Sequence, residues 1–202
     1  MLLAIMLFAS CKVNVSVEIS STQDNMQQTS IPFPSEQGFT REFLQENFWK
    51  CTYNLAGDSL TYWVVLPNNM KPVRVEPVRI GETNLINIGQ YERVDDSPYL
   101  EAWVLTEYVT SNIEPADWLR GWLNASDETI LQEKEVIGSA GSKFLDVLTS
   151  KLLDDGNSSI SRCTVFRSGK NYFFIKVSCS ENSYESLAKT IQHISSSWGI
   201  AS

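Results

Sequence analysis

Two apolar runs joined by a glycine turn, with an amphipathic segment directly behind them, constrain this chain more than any other feature. Ser161–Phe166 and Tyr172–Cys179 read as strands of a hairpin, with Arg167-Ser168-Gly169-Lys170-Asn171 as the connecting loop. In the second run Phe173, Ile175, Val177 and Cys179 fall on one face, opposite Phe174, Lys176 and Ser178. The closing helix is expected from Asn182, with Glu185 three residues on completing a capping box. Tyr184, Leu187, Ala188, Ile191, Ile194 and Trp198 follow helical spacing, and Gly199 is expected to end the helix.

The folded part is expected to begin near Phe39, where Gly38–Leu44 opens it with a short helix. Phe48–Tyr53 alternates as a strand, Ala56-Gly57-Asp58 is a turn signal, and Leu60–Leu66 is a second strand stopped by Pro67-Asn68-Asn69. Pro72, Pro77 and Gly81 make the following stretch loop-like, and Leu85–Ile88 and Leu100–Val109 are two more strands. Arg93–Pro98 is the polar loop between them. A helix follows with Asn112 as N-cap and Glu114 and Pro115 in its first turn. Ile130–Ile137 reads as a strand, and Gly138–Ser142 turns the chain. Phe144–Leu153 fits a helix by periodicity and also fits a strand with apolar neighbours on both faces. Asp154-Asp155-Gly156-Asn157 is turn chemistry.

The N-terminus carries a different message. Met1–Phe8 is an unbroken apolar run followed by Ala9-Ser10-Cys11. A run this short ending in small residues fits a secretory signal and not a membrane span, which needs ~20 residues. Small residues directly before a cysteine resemble the lipobox of bacterial lipoproteins, in which the signal is cut before the cysteine and its thiol is diacylated. Phe8 stands where Leu is commoner. No Lys or Arg precedes the apolar core, so the true start is expected upstream of Met1, with a basic region. Ser20–Ser30 is polar and nearly uncharged, with Pro32 and Pro34 close behind, the composition of a flexible tether. The expected organisation is a signal over 1–10, a tether over 11–38 anchored by lipid on Cys11, and one domain over 39–202. Lys12 behind the lipidated cysteine fits sorting to the outer membrane, with the domain facing the periplasm.

With these elements in order, the chain resembles the PsbP-like fold. The likeness is carried by the proline-interrupted early hairpin at Leu60–Pro67. It is also carried by Lys143–Trp198, where strand, Asp-Asp-Gly turn, strand, Ser-Gly-Lys turn, strand and helix follow the family's order. Members of that family include extrinsic proteins of photosynthesis, a Ran-binding nuclear import factor and bacterial envelope lipoproteins. The resemblance implies an α+β fold with helices packed on an antiparallel sheet, and makes Phe144–Leu153 a strand. It also implies a non-enzymatic module that binds a protein partner or assembles a complex. The second reading is an anchored domain binding a small ligand or ion in a sheet-edge cleft, and the third is a hydrolase whose site the sequence does not show.

Candidate chemistry is sparse. The net charge of −8 lacks the basic character of a nucleic-acid binder. His193 is the one histidine, with no cysteine or carboxylate at metal-ligand spacing, so a surface or partly covered helix residue is expected. Gly138–Ser142 fits neither a nucleophile elbow nor a phosphate loop. Asp155 and Asn157, with Asp154, could lend oxygens to calcium, but the glutamate that closes an EF-hand loop is missing. If Cys11 carries lipid, Cys51, Cys163 and Cys179 remain. Pairing Arg167 with Asn171 sets Cys163 opposite Ile175 and on one face with Cys179, roughly 13 Å away at ~3.3 Å per residue. That leaves a disulfide open only through Cys51, and buried free thiols are expected. Cys11 is the one site residue assigned: no catalytic residue, cofactor or metal ligand is expected.

Overall fold

In a computed structural model of the chain, residues 38–54, 61–74, 76–81, 83–95, 98–110, 112–137 and 143–201 are described. The signal over 1–10, Cys11, the tether as far as residue 37, and the turns at Ala56–Asp58 and Gly138–Ser142 lie outside them. The Thr40 hydroxyl accepts from the Phe43 backbone N–H at 3.2 Å and caps helix α1, Arg41–Asn47. The chain runs straight on into β1, Phe48–Asn54, which pairs antiparallel with β2, Thr61–Pro67.

The turn at Asn68-Asn69 does not fold the chain back onto β2. It delivers β3 (Met70–Arg74) and β4 (Val78–Arg79) to a second sheet, where both pair with β5, Leu85–Arg93. The stretch expected as loop is therefore partly strand. Pro72 has no N–H to donate, and it is accommodated because β3 is the outermost strand and its register shifts between Pro72 and Arg74. Then follow β6 (Leu100–Tyr108), α2 (Pro115–Ala125), β7 (Thr129–Ile137), β8 (Lys143–Leu152), β9 (Ser158–Ser168) and β10 (Asn171–Ser180). Helix α3 (Glu181–Ser196) and β11 (Trp198–Ala201) close the chain. The large sheet has the order β3-β5-β6-β10-β9-β8-β7, the small one β1-β2-β11, and every pairing is antiparallel.

Phe144–Leu153, readable both ways on periodicity, is strand β8. Leu145, Val147 and Leu148 are all buried, so both faces of β8 are covered and the alternation that marks a strand is lost. The two faces of the large sheet carry separate cores. On one, Phe173, Ile175, Val177 and Cys179 pack with Leu187, Ile191 and Ile194 of α3 and with Tyr62, Val64 and Leu66 of the small sheet. On the other, Phe174, Val165, Leu145 and Leu105 pack beneath Leu119 and Leu123 of α2. The face assignment expected for β10 is the observed one.

Helix ends and register differ from expectation. Glu114, not Asn112, precedes α2, with Pro115 as its first residue, and the Asn112 amide oxygen instead accepts from Arg167 at 3.3 Å. Helix α3 begins one residue early, at Glu181. Ser180 is its cap, and its hydroxyl donates to Ser183 at 2.8 Å, so no capping box forms at Asn182. The helix stops at Ser196, and Trp198 and Gly199 belong to β11 on the edge of the small sheet. Gly199 is needed there for close approach, because a Cβ would come within 3.0 Å of the Trp63 ring.

The β9–β10 hairpin closes on Gly169-Lys170 with Ser168 opposite Asn171, one residue tighter than expected. Gly169 alone has positive φ (59°), the signature of a type II′ turn. The tighter turn sets Cys163 opposite Lys176 rather than Ile175. A one-residue slip exchanges faces, so Cys163 and Cys179 lie in different cores on opposite sides of the sheet. Cys51, Cys163 and Cys179 are all free and buried. Among the described residues no helix is long and apolar enough to cross a membrane.

Candidate functional site

Opposite residues in an antiparallel ladder share a face, so the registers of β6, β10, β9 and β8 lay out the α2 side of the sheet row by row. Leu105, Phe174, Val165 and Leu145 form an apolar row. Helix α2 roofs it with Trp118 and Trp122, whose rings lie 5.2 and 4.9 Å from Phe174. The next row is Trp103, Lys176, Cys163 and Val147. The third is wholly polar: Glu101, Ser178, Ser161 and Thr149. Beyond it stand Ser180, Ser159 and Lys151. Within a few rows the face passes from apolar side chains to hydroxyl groups, and Ser161, Ser178 and Thr149 are themselves buried.

The polar rows are internally satisfied at their centre. Ser161 and Ser178 share a hydrogen bond of 2.9 Å. Asp127 adopts a left-handed conformation (φ 56°) after α2, which swings Glu128 back over the sheet. Its carboxylate there accepts from the Thr149 hydroxyl and the Lys176 ammonium. Glu128 has almost no exposed side chain, and Lys176 also lies 5.8 Å from the centre of the Trp122 ring. Lys151 donates to the Ser126 carbonyl at 3.0 Å. Burial pushes the Cys163 thiol far above its ordinary range, so it is not a nucleophile at neutral pH.

The last polar row opens into a groove of 610 Å³ between the β8–β9 turn and the start of α3. Tyr99, Leu153, Asp155, Asn157, Glu181 and Asn182 are among its lining residues, together with Ser159 and Ser180. Asp155 accepts from the backbone and side-chain amides of Asn157 at 2.9 and 2.8 Å, and these bonds hold its carboxyl below the usual range. Each oxygen accepts one of these bonds and retains acceptor capacity for a further partner. Gly156 takes φ 81° at the tip, as the turn reading requires. Burial, then the hydrogen bond to Glu101, raises the Tyr99 phenol, which therefore stays a neutral donor. Among the described residues no three metal-ligating side chains come together.

His193 lies away from this face. It is partly covered, with Phe48 and Phe39 edge-on to its ring at 4.8 and 6.1 Å, and burial lowers its pKa to about 4. Sequence reasoning missed the serine rows, Glu128 and Tyr99. A signal existed: Ser159 and Ser161 in β9, and Ser178 and Ser180 in β10, recur at every second position.

No family model and no curated protein matches the sequence. Solved structures do match it. The cyanobacterial PsbP protein CyanoP from Synechocystis sp. PCC 6803 superposes with a TM-score of 0.56 at 12% identity, over 77% of this chain and 93% of that one. LpqN of Mycobacterium tuberculosis, described as involved in cell envelope biogenesis, gives 0.43 at 14% identity, over 82% and 99%. A mutant of Mog1 gives 0.47 at 12% identity, over 74% and 95%. The chain has a PsbP-like α+β fold, with helices on an antiparallel sheet.

Proposed function

We propose that this chain is a lipid-anchored protein of the bacterial cell envelope whose PsbP-like domain is a non-catalytic protein-binding or complex-assembly module. In this reading residues 1–10 are removed as a signal, Cys11 carries the lipid and 11–38 form a tether. The domain over 39–202 then faces the periplasm, with outer-membrane sorting favoured by Lys12. The observation that carries the non-catalytic part is that the groups best suited to covalent or proton-transfer chemistry are built into packing. The three described thiols are buried and His193 sits in an aromatic cluster. What opens to solvent on the α2 side is a surface of hydroxyls, amides and carboxylates, suited to recognition.

Two experiments test it. A Cys11→Ser variant should leave the membrane fraction, and unchanged fractionation would refute the anchor. Detergent extracts of the wild-type protein should yield a stoichiometric partner. A second reading, an anchored small-ligand or ion-binding protein, is favoured by the groove alone, and a stoichiometric small molecule in native mass spectra would promote it.

A further inference from the structure

We infer that the groove beside the start of α3 is the docking site for a basic, aliphatic peptide segment of a partner protein. The inference rests on the assembly reading above and gives it a location and a chemistry. Three features converge there. Charge is one-sided: among the described residues Asp155 and Glu181 line the groove and no lysine or arginine does. Lys151 and Lys176, the nearest cations on the sheet face, are held by the Ser126 carbonyl and the Glu128 carboxylate. Apolar surface is left uncovered at the same place, since Tyr99 and Leu153 are 44% and 41% exposed. Donors complete the set. The Ser180 hydroxyl is spent on Ser183 and caps no backbone N–H, so the first-turn amides of α3 have no side-chain acceptor from their own cap.

These features sort a ligand. Carboxylates ask for lysine or arginine, Leu153 and the Tyr99 ring for an aliphatic side chain, and the α3 amides for a main-chain carbonyl. A polyanion meets Asp155 and Glu181 head-on, and Asp155 stays ionised because Asn157 holds its carboxylate.

The probe is a synthetic peptide of alternating lysine and leucine, with a glutamate–leucine peptide as its opposite, titrated into the full chain. Amide shifts should move at Ser158, Ser159, Glu181 and Asn182 with the basic peptide alone, and binding should weaken with added salt. Glu181→Lys should weaken it about tenfold, and Glu135→Lys, the same charge change on β7, by less than about twofold. Leu153→Ser should weaken it without changing the salt dependence. Equal binding of both peptides, shifts centred elsewhere, or equal losses for the two charge reversals would overturn the assignment. A photo-crosslinker at Asn182 separates this inference from its parent. A partner captured only from other positions removes the groove, whereas no stoichiometric partner in the extract removes the assembly reading itself.

Discussion

At Gly89 a single hydrogen atom decides the packing between the two sheets. A Cβ there would lie 2.3 Å from the Tyr62 hydroxyl, which bonds the Tyr91 hydroxyl and the Ile88 carbonyl, each at 2.8 Å. Gly89→Ala should therefore destabilise by about 1–3 kcal/mol through overpacking and strained hydrogen bonds, read as a lower urea midpoint. A second residue-scale test lies at Glu128. Its side chain is 1% exposed, so Lys176→Met leaves a buried carboxylate without its cation. The expected loss is about 3–5 kcal/mol, and adding Glu128→Gln to the same protein should restore most of it. If the single variant unfolds at the wild-type urea concentration, the pair is not structural. Neither residue announces itself in the sequence, since Gly89 and Glu128 owe their roles to atoms far away along the chain.

Helix α1 is an element with no buried residue, held on by its neighbours. Asn68 donates to the Asn47 and Glu46 carbonyls at 2.8 and 2.7 Å, and Phe39, Phe43 and Phe48 pack together beside His193. This makes its attachment sensitive to acid. The imidazole falls from 6.5 to about 4 because burial disfavours the charged ring, so the folded state binds the proton more weakly than the unfolded chain. Its contribution is complete above pH ~6.5 and is lost as the pH falls towards 4, to a limit of about 3 kcal/mol for a ring that is only partly covered. Melting temperature should decline across that window, and His193→Phe should flatten the decline. An unchanged profile would mean that carboxylates alone set the acid limb. The strands were largely legible because β5, β6, β9 and β10 show strong local patterns, whereas β3, β4 and β11 did not. Those three are short: β3 contains Pro72, β11 contains Gly199, and β4 is only two residues directly behind Pro77, so each depends on the strand beside it.

The whole molecule is an acidic body, and none of residues 1–10 is charged, so the proposed removal of 1–10 would leave the −8 of the side chains intact. Anionic lipid should repel such a body. The Cys11→Ser protein should therefore fail to float with anionic vesicles at low salt, and co-flotation would contradict a domain that stands off its membrane. The sequence alone specified much of this protein: the α+β element order, the faces of β10 and the amphipathic α3. Each is local, because residues two to four apart along one strand or helix already decide which side is apolar. Tertiary structure decided the rest. A hairpin one residue tighter moved Cys163 to the opposite core from Cys179. A left-handed Asp127 brought Glu128 over Lys176 and Thr149, within a polar row that is buried. Those features depend on which strands become neighbours and in what register, and cross-sheet packing fixes that only when the whole chain is folded.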